Sequence, residues 1–331
     1  MRKALVVGSG SIAQRHIRNL RTLYPDAEII CVSSSGRHIV AADVGASRVL
    51  QSVDAAIVNK PDIAIVASPA THHLEHAQTI IKAKIPVLIE KPLCVSFSDL
   101  SRFSVDEVNN KVVVGYNLRF MPAAKIVKNL ISSDRLGRIS TVFSEVGQYL
   151  PDWRPATDYR KGVSAQKNLG GGALLELSHE LDYLNWFFSN FSEVSAVLGS
   201  SGILDIDVED TVDALLVNQS GTICHLHLDF LQRTPTRFCR VVGEKGTLIW
   251  NLIKNEVVLL KLGSVDEVVF SDSGYDRNEM YIEQLRSFIA YVYGSATFES
   301  TLNNSIEVMR LVDAIRLSNA KRAWIKIEAI N

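Results

Sequence analysis

The chain has 331 residues, of which 47% are hydrophobic and 21% are charged, and its formal net charge is −1. This composition is that of a globular protein with room for two domains of ordinary size. No cluster of Lys and Arg stands out, which argues against a nucleic-acid partner. The apolar stretch after Met1 is too short for a signal sequence or a membrane span, so we expect a cytoplasmic protein with no membrane partner.

Short apolar runs alternate with helical patterns over the first third of the chain. The predicted strands cover residues 3–7, 28–32, 62–67, 86–89 and 112–114, and helical patterns lie between them. Strands and helices that alternate at this spacing predict parallel strands joined by right-handed crossovers. We therefore expect an α/β, doubly wound Rossmann sheet that forms a first domain over residues 1–118.

A glycine turn follows the first predicted strand and opens the first predicted helix. Its pattern is G-x-G-x-x-A, and this position between a strand and a helix is typical of a dinucleotide-binding turn. The first glycine permits the tight turn, the second lets backbone approach a pyrophosphate, and the alanine lets helix and strand pack closely. The predicted cofactor contacts here are Gly8, Gly10, Ser11, Ile12 and Ala13.

The end of the second predicted strand is expected to select between the two nicotinamide cofactors. A carboxylate there would bind the ribose 2′-hydroxyl of NAD, but residues 32–37 contain none. Ser33 and Ser34 could instead donate to a 2′-phosphate, and Arg37 could pair with it. The sequence therefore favours NADP; the alternative is a solvated loop, with NAD bound less specifically.

A further turn follows the strand predicted over residues 62–67. Ligands of open parallel sheets lie at the carboxyl ends of the strands, so this turn is placed to touch the cofactor. Capping of the next helix by Thr71 is the alternative explanation for its hydroxyl. The predicted contacts are Ser68, Pro69, Thr71 and His73.

Six motifs together resemble the Gfo/Idh/MocA family, named after glucose-fructose oxidoreductase and inositol dehydrogenase. They are GSGSIAQRH at 8–16, SPATHH at 68–73, EKP at 90–92, GYNLRF at 115–120, GGGALLELSHELD at 170–182 and VVGEKGTLIW at 241–250. The resemblance implies that Lys91 is the catalytic lysine beside the nicotinamide and that the Lys91–Pro92 bond is cis. It also places Glu90 and Asn117 near the cofactor. Without the resemblance, a surface ion pair of Glu90 with Lys91 would be the simpler interpretation.

The segment after the three glycines at 170–172 is predicted to be a helix with one polar strip, formed by Glu176, His179 and Glu180. The resemblance implies that His179 is a general acid/base and that Asp182 orients it or binds substrate. The family motif also has Asp or Asn four residues before the histidine, where this chain has Leu175. Either a deletion shifts the register or Glu176 substitutes for that carboxylate, and both alternatives stay open.

Three further residues are candidate substrate contacts. Arg119 follows the last Rossmann strand, in a segment that lines the cleft in members of the family. Tyr159 and Arg160 lie in a loop whose aromatic and guanidinium groups could stack on a sugar or pair with a phosphorylated group. A solvated loop is the alternative for these last two residues.

From residue 119 to residue 331 the pattern changes to closely spaced strands and a few helices. Glycine-containing turns at 218–221 and 243–246 indicate hairpins, so we expect a largely antiparallel sheet domain. The resemblance implies that this domain binds the substrate and forms a homodimer or homotetramer through its open sheet face. His225, His227 and Asp229 alternate on one strand, and we interpret them as part of this face rather than as a metal site.

The leading functional hypothesis is an NAD(P)-dependent oxidoreductase that moves hydride between nicotinamide and a hydroxyl or keto carbon of a sugar, sugar nucleotide or polyol. A link to bacterial surface-glycan biosynthesis is also suggested by the resemblance. Two alternatives use the same fold: a redox-neutral lyase or glycosidase that uses NAD transiently, and a non-catalytic cofactor-binding sensor. Retention of both Lys91 and His179 favours an enzyme over a sensor.

Overall fold

The structure is a computed structural model that describes residues 1–34, 36–104 and 111–330. Its contacts divide the chain into two compact units. The first unit comprises Met1–Asn117 and Arg277–Met309, and the second comprises Leu118–Asp276 and the C-terminal residues from Arg310 onwards. The sequence analysis had assigned residues 277–309 to the second domain, but their contacts group them with the first unit.

The strands are β1 (Lys3–Val7), β2 (Glu28–Val32), β3 (Arg48–Leu50), β4 (Ile63–Val66), β5 (Val87–Ile89), β6 (Val112–Val114), β7 (Ile139–Gly147), β8 (Phe191–Gly199), β9 (Thr211–Asn218), β10 (Ile223–Asp229), β11 (Thr236–Gly243), β12 (Gly246–Asn251), β13 (Glu256–Leu260), β14 (Glu267–Ser271) and β15 (Ile325–Lys326). The α-helices are α1 (Ser11–Leu23), α2 (Ala41–Val44), α3 (Val53–Ile57), α4 (His73–Lys82), α5 (Pro122–Ser132), α6 (Ala173–Glu176), α7 (His179–Phe188), α8 (Glu279–Val292) and α9 (Leu302–Lys321). Within the described ranges, none of these helices combines the length and the apolar character that a membrane crossing requires.

The first unit contains a parallel sheet with the strand order β3-β2-β1-β4-β5-β6, counted over the residues that the structure describes. The predicted Rossmann sheet is therefore confirmed. Its central strands are buried along nearly their whole length, as expected when helices cover both faces of a sheet. The strands β1, β2 and β3 are added in one direction across the sheet, and β4, β5 and β6 are added in the other direction from β1. The loops after β1 and β4 therefore flank the switch point at which such sheets bind ligands.

The second unit contains a mixed sheet with the order β14-β13-β12-β11-β7-β10-β9-β8-β15 in the described part of the chain. All its pairs are antiparallel except β7 with β10, which confirms the predicted largely antiparallel domain. Buried and accessible residues alternate along β9 and β10. One face of the sheet is therefore buried, and the other is accessible.

The accessible face of this sheet is aromatic and charged at its centre. The ring of His225 stacks on Phe143 with centroids 4.5 Å apart, and the guanidinium of Arg240 lies 4.3 Å from the Phe143 centroid. Val197 is exposed on the same face, which holds a depression of about 500 Å³. These side chains give the face both apolar area and the cationic group of Arg240.

Candidate functional site

The turn after β1 is shaped by a glycine that no other residue could replace without movement. Gly8 has a φ of +124°, and a Cβ at this position would lie 2.3 Å from the carbonyl oxygen of Ala67. Its N–H donates to the carbonyl of Val32, and its carbonyl accepts from the Cys31 thiol. Burial raises the pKa of Cys31 to about 11, so this thiol stays protonated and acts as a donor. Gly8 therefore joins the carboxyl ends of β1, β2 and β4.

The second glycine of the turn has different surroundings. Gly10 is the N-cap of α1, and a Cβ added to it would meet no atom within 4 Å. The first intrahelical bond runs from the N–H of Gln14 to the carbonyl of Gly10, so the N–H groups of residues 11–13 precede the helical ladder. Ala13 is fully buried under the turn. Open space at a helix N-terminus whose first turn carries no acidic residue is suited to a phosphate group.

The loop after β2 carries hydroxyl and guanidinium groups. Ser33 is buried, Ser34 is half-buried and Arg37 is exposed, while Gly36 has a φ of +67°. Ser35 lies outside the described residues. The described side chains of this loop include no carboxylate, and the predicted preference for NADP stays a prediction.

The turn after β4 runs through a short 3₁₀ helix, Ala70–His72, into α4. Thr71 is exposed and does not cap α4, which has no side-chain cap, so the capping alternative is not what the structure shows. His73 is 1% exposed, and its Nδ1 and Nε2 each lie 2.8 Å from a carbonyl oxygen, those of Pro92 and Ser68 respectively. His73 was predicted to contact the cofactor, but both of its ring nitrogens lie against backbone carbonyl groups of this unit.

Lys91 lies two residues beyond the end of β5 and is half-buried, and its bond to Pro92 is cis as the resemblance implies. Glu90 is only 5% exposed, so the alternative of a surface ion pair does not hold. One carboxylate oxygen of Glu90 lies 2.6 Å from Nε2 of His16, and the other accepts the N–H of Lys91 at 3.2 Å. A Cβ on Gly115 would lie 3.2 Å from this carboxylate, so glycine leaves the space that Glu90 fills. The carboxylate thus bridges α1 and the backbone of Lys91.

The first unit also contains a tyrosine that sequence reasoning missed. Tyr281, on α8, is close enough to Glu90 and Lys91 for their charges to act on it. Its ring lies 4.5 Å from the guanidinium carbon of Arg15. Burial is the main cause that raises the pKa of Tyr281. Asn117, predicted to contact the cofactor, is itself buried. The helical pattern at 278–292 was visible, but nothing in it indicated packing against the Rossmann unit.

The three glycines at 170–172 lie in the second unit, where other parts of the chain pack closely against their backbone. A Cβ on Gly171 would lie 2.4 Å from the carbonyl oxygen of Val163. Gly172 has a φ of +108°, and its Cβ would lie 2.3 Å from Oε1 of Glu209. The Glu209 carboxylate accepts the N–H of Leu174, and burial raises the pKa of this carboxyl group. The glycine run is thus required to pack the start of α6.

The single helix predicted after these glycines is interrupted. α6 ends at Glu176 and α7 begins at His179, with Leu177 and Ser178 between them. Glu176 and His179 are both half-buried, whereas Glu180 is fully buried and its carboxylate accepts from Arg237 at 2.7 and 3.1 Å. The predicted polar strip therefore divides: Glu180 belongs to an ion pair with β11, and the two accessible groups flank the break.

Asp182 and Arg119 bind each other in the interior of the second unit. The guanidinium Nε donates to Oδ2 at 2.9 Å and Nη2 donates to Oδ1 at 2.7 Å, and neither side chain has exposed surface. The Arg119 guanidinium also lies 5.3 Å from the Trp186 ring. The sequence analysis had expected Arg119 to contact substrate and Asp182 to orient His179. In this arrangement the two side chains bind one another because a buried charge requires an opposite charge.

Tyr159 and Arg160 lie on a short 3₁₀ helix, Tyr159–Lys161. The Arg160 guanidinium donates to Asp158 at 2.9 and 3.0 Å and reaches Asp205 at 3.5 Å. The Tyr159 hydroxyl accepts the N–H of Asp205. Arg160 is exposed, and its contacts tie the loop to residues near 205.

The parallel sheet and the glycine turn define a nucleotide-binding protein with a Rossmann unit and a second unit built on a mixed sheet. The chain belongs to the GFO/IDH/MocA oxidoreductase family. The family's NAD-binding Rossmann fold matches residues 2–118, and its C-terminal domain matches residues 125–249.

Three known proteins illustrate the likeness. The 1,5-anhydro-D-fructose reductase of Ensifer adhaerens is 30% identical over 218 residues, which cover 63% of each protein. The structure of levoglucosan dehydrogenase in complex with NADH and L-sorbose has a TM-score of 0.86 at 19% identity, over 99% of both chains. The WlbA dehydrogenase from Bordetella pertussis, in complex with NADH and UDP-GlcNAcA, has a TM-score of 0.81 at 22% identity over 98% of both chains. At these identities the two structures establish the fold that the chain shares with them.

Proposed function

We propose that this protein is an NAD(P)-dependent dehydrogenase or reductase that acts on a hydroxyl or keto carbon of a sugar, sugar nucleotide or polyol. One observation carries the proposal: a half-buried lysine lies two residues beyond the end of β5, in the same sheet whose first turn leaves open space at a helix N-terminus. The lysine supplies a proton-handling group, and the turn supplies a cradle for a dinucleotide phosphate.

The residues that line the carboxyl ends of the parallel strands fit a nicotinamide dinucleotide. Gly10 and the N–H groups of residues 11–13 would bind the pyrophosphate, and the turn from Ser68 to Thr71 would border the nicotinamide side. Ser33, Ser34 and Arg37 would hold a 2′-phosphate, so NADP is the preferred form in this proposal. When bound, the nicotinamide ring supplies the hydride acceptor or donor.

Lys91 and His179 are the groups that would manage the proton of the substrate hydroxyl. An ammonium donates hydrogen bonds to a substrate oxygen, and an imidazole exchanges protons near neutral pH. Glu176, half-buried beside the same helix break as His179, is a carboxylate that could assist this histidine. Arg119 and Asp182 are assigned a supporting role, because their mutual pair is fully buried.

The substrate class is supported by what related proteins bind. Levoglucosan dehydrogenase binds L-sorbose, and the WlbA dehydrogenase binds a sugar nucleotide. Both ligands offer the ring or chain hydroxyls that a lysine and a histidine could address. A sugar nucleotide substrate would fit a role in bacterial surface-glycan biosynthesis in the cytoplasm.

The accessible sheet face of the second unit is proposed to pair with another copy of the chain. Its stacked Phe143 and His225 and its exposed Val197 offer apolar area, while Arg240 offers a charged group against Phe143. Aromatic and arginine side chains are the residue types enriched in stable protein interfaces. A homodimer or homotetramer would bury this face.

The experiment follows nicotinamide absorbance while the purified protein is mixed with NADP⁺ or NAD⁺ and a panel of sugars, polyols and UDP-sugars. Lys91→Ala is the test variant, and Lys84→Ala, at an exposed lysine of the same unit, is the matched control. We expect reduction with at least one substrate, retained by Lys84→Ala and lowered about a thousandfold or more by Lys91→Ala. Equal rates in the two variants would remove Lys91 from the chemistry. Cofactor-dependent conversion of a substrate without a net absorbance change would instead identify a redox-neutral enzyme.

A further inference from the structure

Hydrogen bonds link the backbone on both sides of Lys91 to two buried histidines. On the amino side, the Lys91 N–H donates to Glu90, and the other oxygen of that carboxylate lies 2.6 Å from Nε2 of His16. On the carboxyl side, the carbonyl of Pro92 lies 2.8 Å from Nδ1 of His73. Both histidines are at most 1% exposed, so neither ring is available to contact a substrate.

We propose that His16 and His73 are positioning residues that fix Lys91 for catalysis, each through one defined ring nitrogen. His16 acts through Nε2–H on the Glu90 carboxylate, and His73 acts through Nδ1–H on the carbonyl of Pro92. The inference rests on the proposed function of Lys91 and adds to it two residues that would not touch cofactor or substrate.

The two histidines come from the elements that carry the cofactor turns. His16 lies on α1, which begins at the glycine turn, and His73 begins α4, which follows the turn from Ser68. The second ring nitrogen of His73 faces the carbonyl of Ser68 in that turn. A shift of either turn would therefore move the lysine as well, which matters because a displacement of about 1 Å can cost a hundredfold in rate.

The proposed role of His73 depends on which of its two ring nitrogens carries the proton. Burial is the main cause that lowers the pKa of His73, so the ring is neutral near pH 7 and carries one N–H. A neutral imidazole can donate to only one of the two carbonyls that flank it. A proton on Nδ1 holds the Lys91–Pro92 segment, whereas a proton on Nε2 would hold only the turn at Ser68.

Asparagine and glutamine separate these two cases because their amide nitrogens occupy different positions. The amide nitrogen of Asn approximates Nδ1 of a histidine, and that of Gln approximates Nε2. We therefore expect a crossed pattern, in which His16→Gln and His73→Asn keep kcat within about threefold of the wild type. His16→Asn and His73→Gln should lower kcat about tenfold to a hundredfold, with the dissociation constant of the cofactor little changed.

Asn19→Ala is the matched control for general destabilisation. Asn19 lies on α1, is 3% exposed and exchanges its two side-chain hydrogen bonds with Asn278 of the same unit rather than with the Lys91 segment. We expect this variant to lower the melting temperature while kcat at saturation stays unchanged. If Asn19→Ala lowers kcat as much as His73→Gln does, then lost stability alone explains the lower kcat of His73→Gln, and the proposal is overturned.

Two readouts on the protein without cofactor or substrate make the test independent of turnover. The first is the rate at which an amine reagent modifies Lys91 relative to the exposed Lys60, measured by peptide mass spectrometry across pH. The profile for Lys91 should change in His16→Asn and His73→Gln but not in His16→Gln and His73→Asn. The second is ¹⁵N NMR of the wild type, which reports the protonated nitrogen of each ring even if a variant does not fold.

The outcomes separate the two proposals. Wild-type protein without activity on any substrate would count against the proposed function, while the lysine modification profiles and the tautomers would still decide the roles of His16 and His73. Equal behaviour of Asn and Gln at either position, or a wild-type His73 protonated at Nε2, would overturn the positioning role.

Discussion

Arg119 and Asp182 form a bidentate ion pair at 2.7 and 2.9 Å with no exposed surface on either side chain. Breaking a buried pair leaves one charge without compensation, which typically costs about 3–5 kcal/mol. We therefore expect Asp182→Asn to lower the free energy of unfolding of the protein by an amount in this range, as measured by denaturant titration. The exposed pair of Arg160 with Asp158 is the comparison, and Arg160→Ala should change stability much less than Asp182→Asn does.

The double variant Arg119→Met with Asp182→Leu tests whether the pair has a further role. Apolar replacement of both members of a buried pair is often neutral for stability. If the pair only supports the fold, the double variant should recover both stability and most of the activity that Asp182→Asn loses. Recovery of stability without activity would show that Asp182 acts on the substrate or on His179, as the sequence analysis expected.

The two glycines of the first turn should fail in different ways when replaced by alanine. Gly8→Ala forces a Cβ to within 2.3 Å of a backbone oxygen at a φ of +124°, so it should destabilise the protein by about 3 kcal/mol or more. Gly10→Ala meets no atom within 4 Å, so the melting temperature should stay the same while cofactor affinity falls at least tenfold. Thermal unfolding and cofactor titration of both variants make the comparison. Unchanged cofactor affinity in Gly10→Ala would show that the phosphates lie elsewhere.

The loop after β2 offers a test of cofactor choice. Ser34→Asp places a carboxylate near the position where a 2′-phosphate would bind, and like charges repel. We expect this variant to weaken NADP binding about tenfold or more and to leave NAD binding equal or stronger. The ratio of the two dissociation constants, measured by fluorescence titration, gives the answer. If Ser34→Asp weakens both cofactors equally, the loop does not discriminate between them.

Much of the fold could be predicted from the sequence because strands, helices and turns leave patterns within short stretches of residues. The first strand was predicted at residues 3–7 and is observed at Lys3–Val7, and the hairpin turn at 243–246 joins β11 to β12 as expected. Short apolar runs bounded by glycine, and helices between them, reflect periodicities that lie within a few residues. The short strands β3, β14 and β15 were missed, because two to five residues at the edge of a sheet carry too little pattern.

Pairings between distant residues could not be predicted in the same way. The sequence showed Asp182 three residues after His179, and the structure pairs its carboxylate with Arg119 instead. His16 and Tyr281 contribute to the surroundings of Lys91, yet both are far from it in sequence. The hydrogen bonds that select these partners depend on how elements pack, which one sequence does not record.

His227 connects two carboxylates on the accessible face of the second sheet. Its Nε2 lies 3.0 Å from Asp229 and its Nδ1 lies 2.7 Å from Asp213. The pKa of His227 is raised to about 9, mainly by the hydrogen bond with Asp229 and further by the hydrogen bond with Asp213. Because the folded pKa lies above the reference value of 6.5, protonation of this ring stabilises the folded protein.

The pH dependence of this contribution has a definite sign. It is fully present below pH 6.5, where the unfolded state also binds the proton, and it is lost as the pH rises through 9. We expect His227→Asn to lower the free energy of unfolding by about 1 kcal/mol at pH 6, after allowance for solvent screening of a partly exposed side chain. The difference from the wild type should shrink steadily above neutral pH and vanish near pH 10. Denaturant titrations at fixed protein concentration measure it, and Asp213→Asn should reduce the pH-dependent part. A difference that stays constant or grows with pH would contradict the assignment of a protonated His227 between the two aspartates.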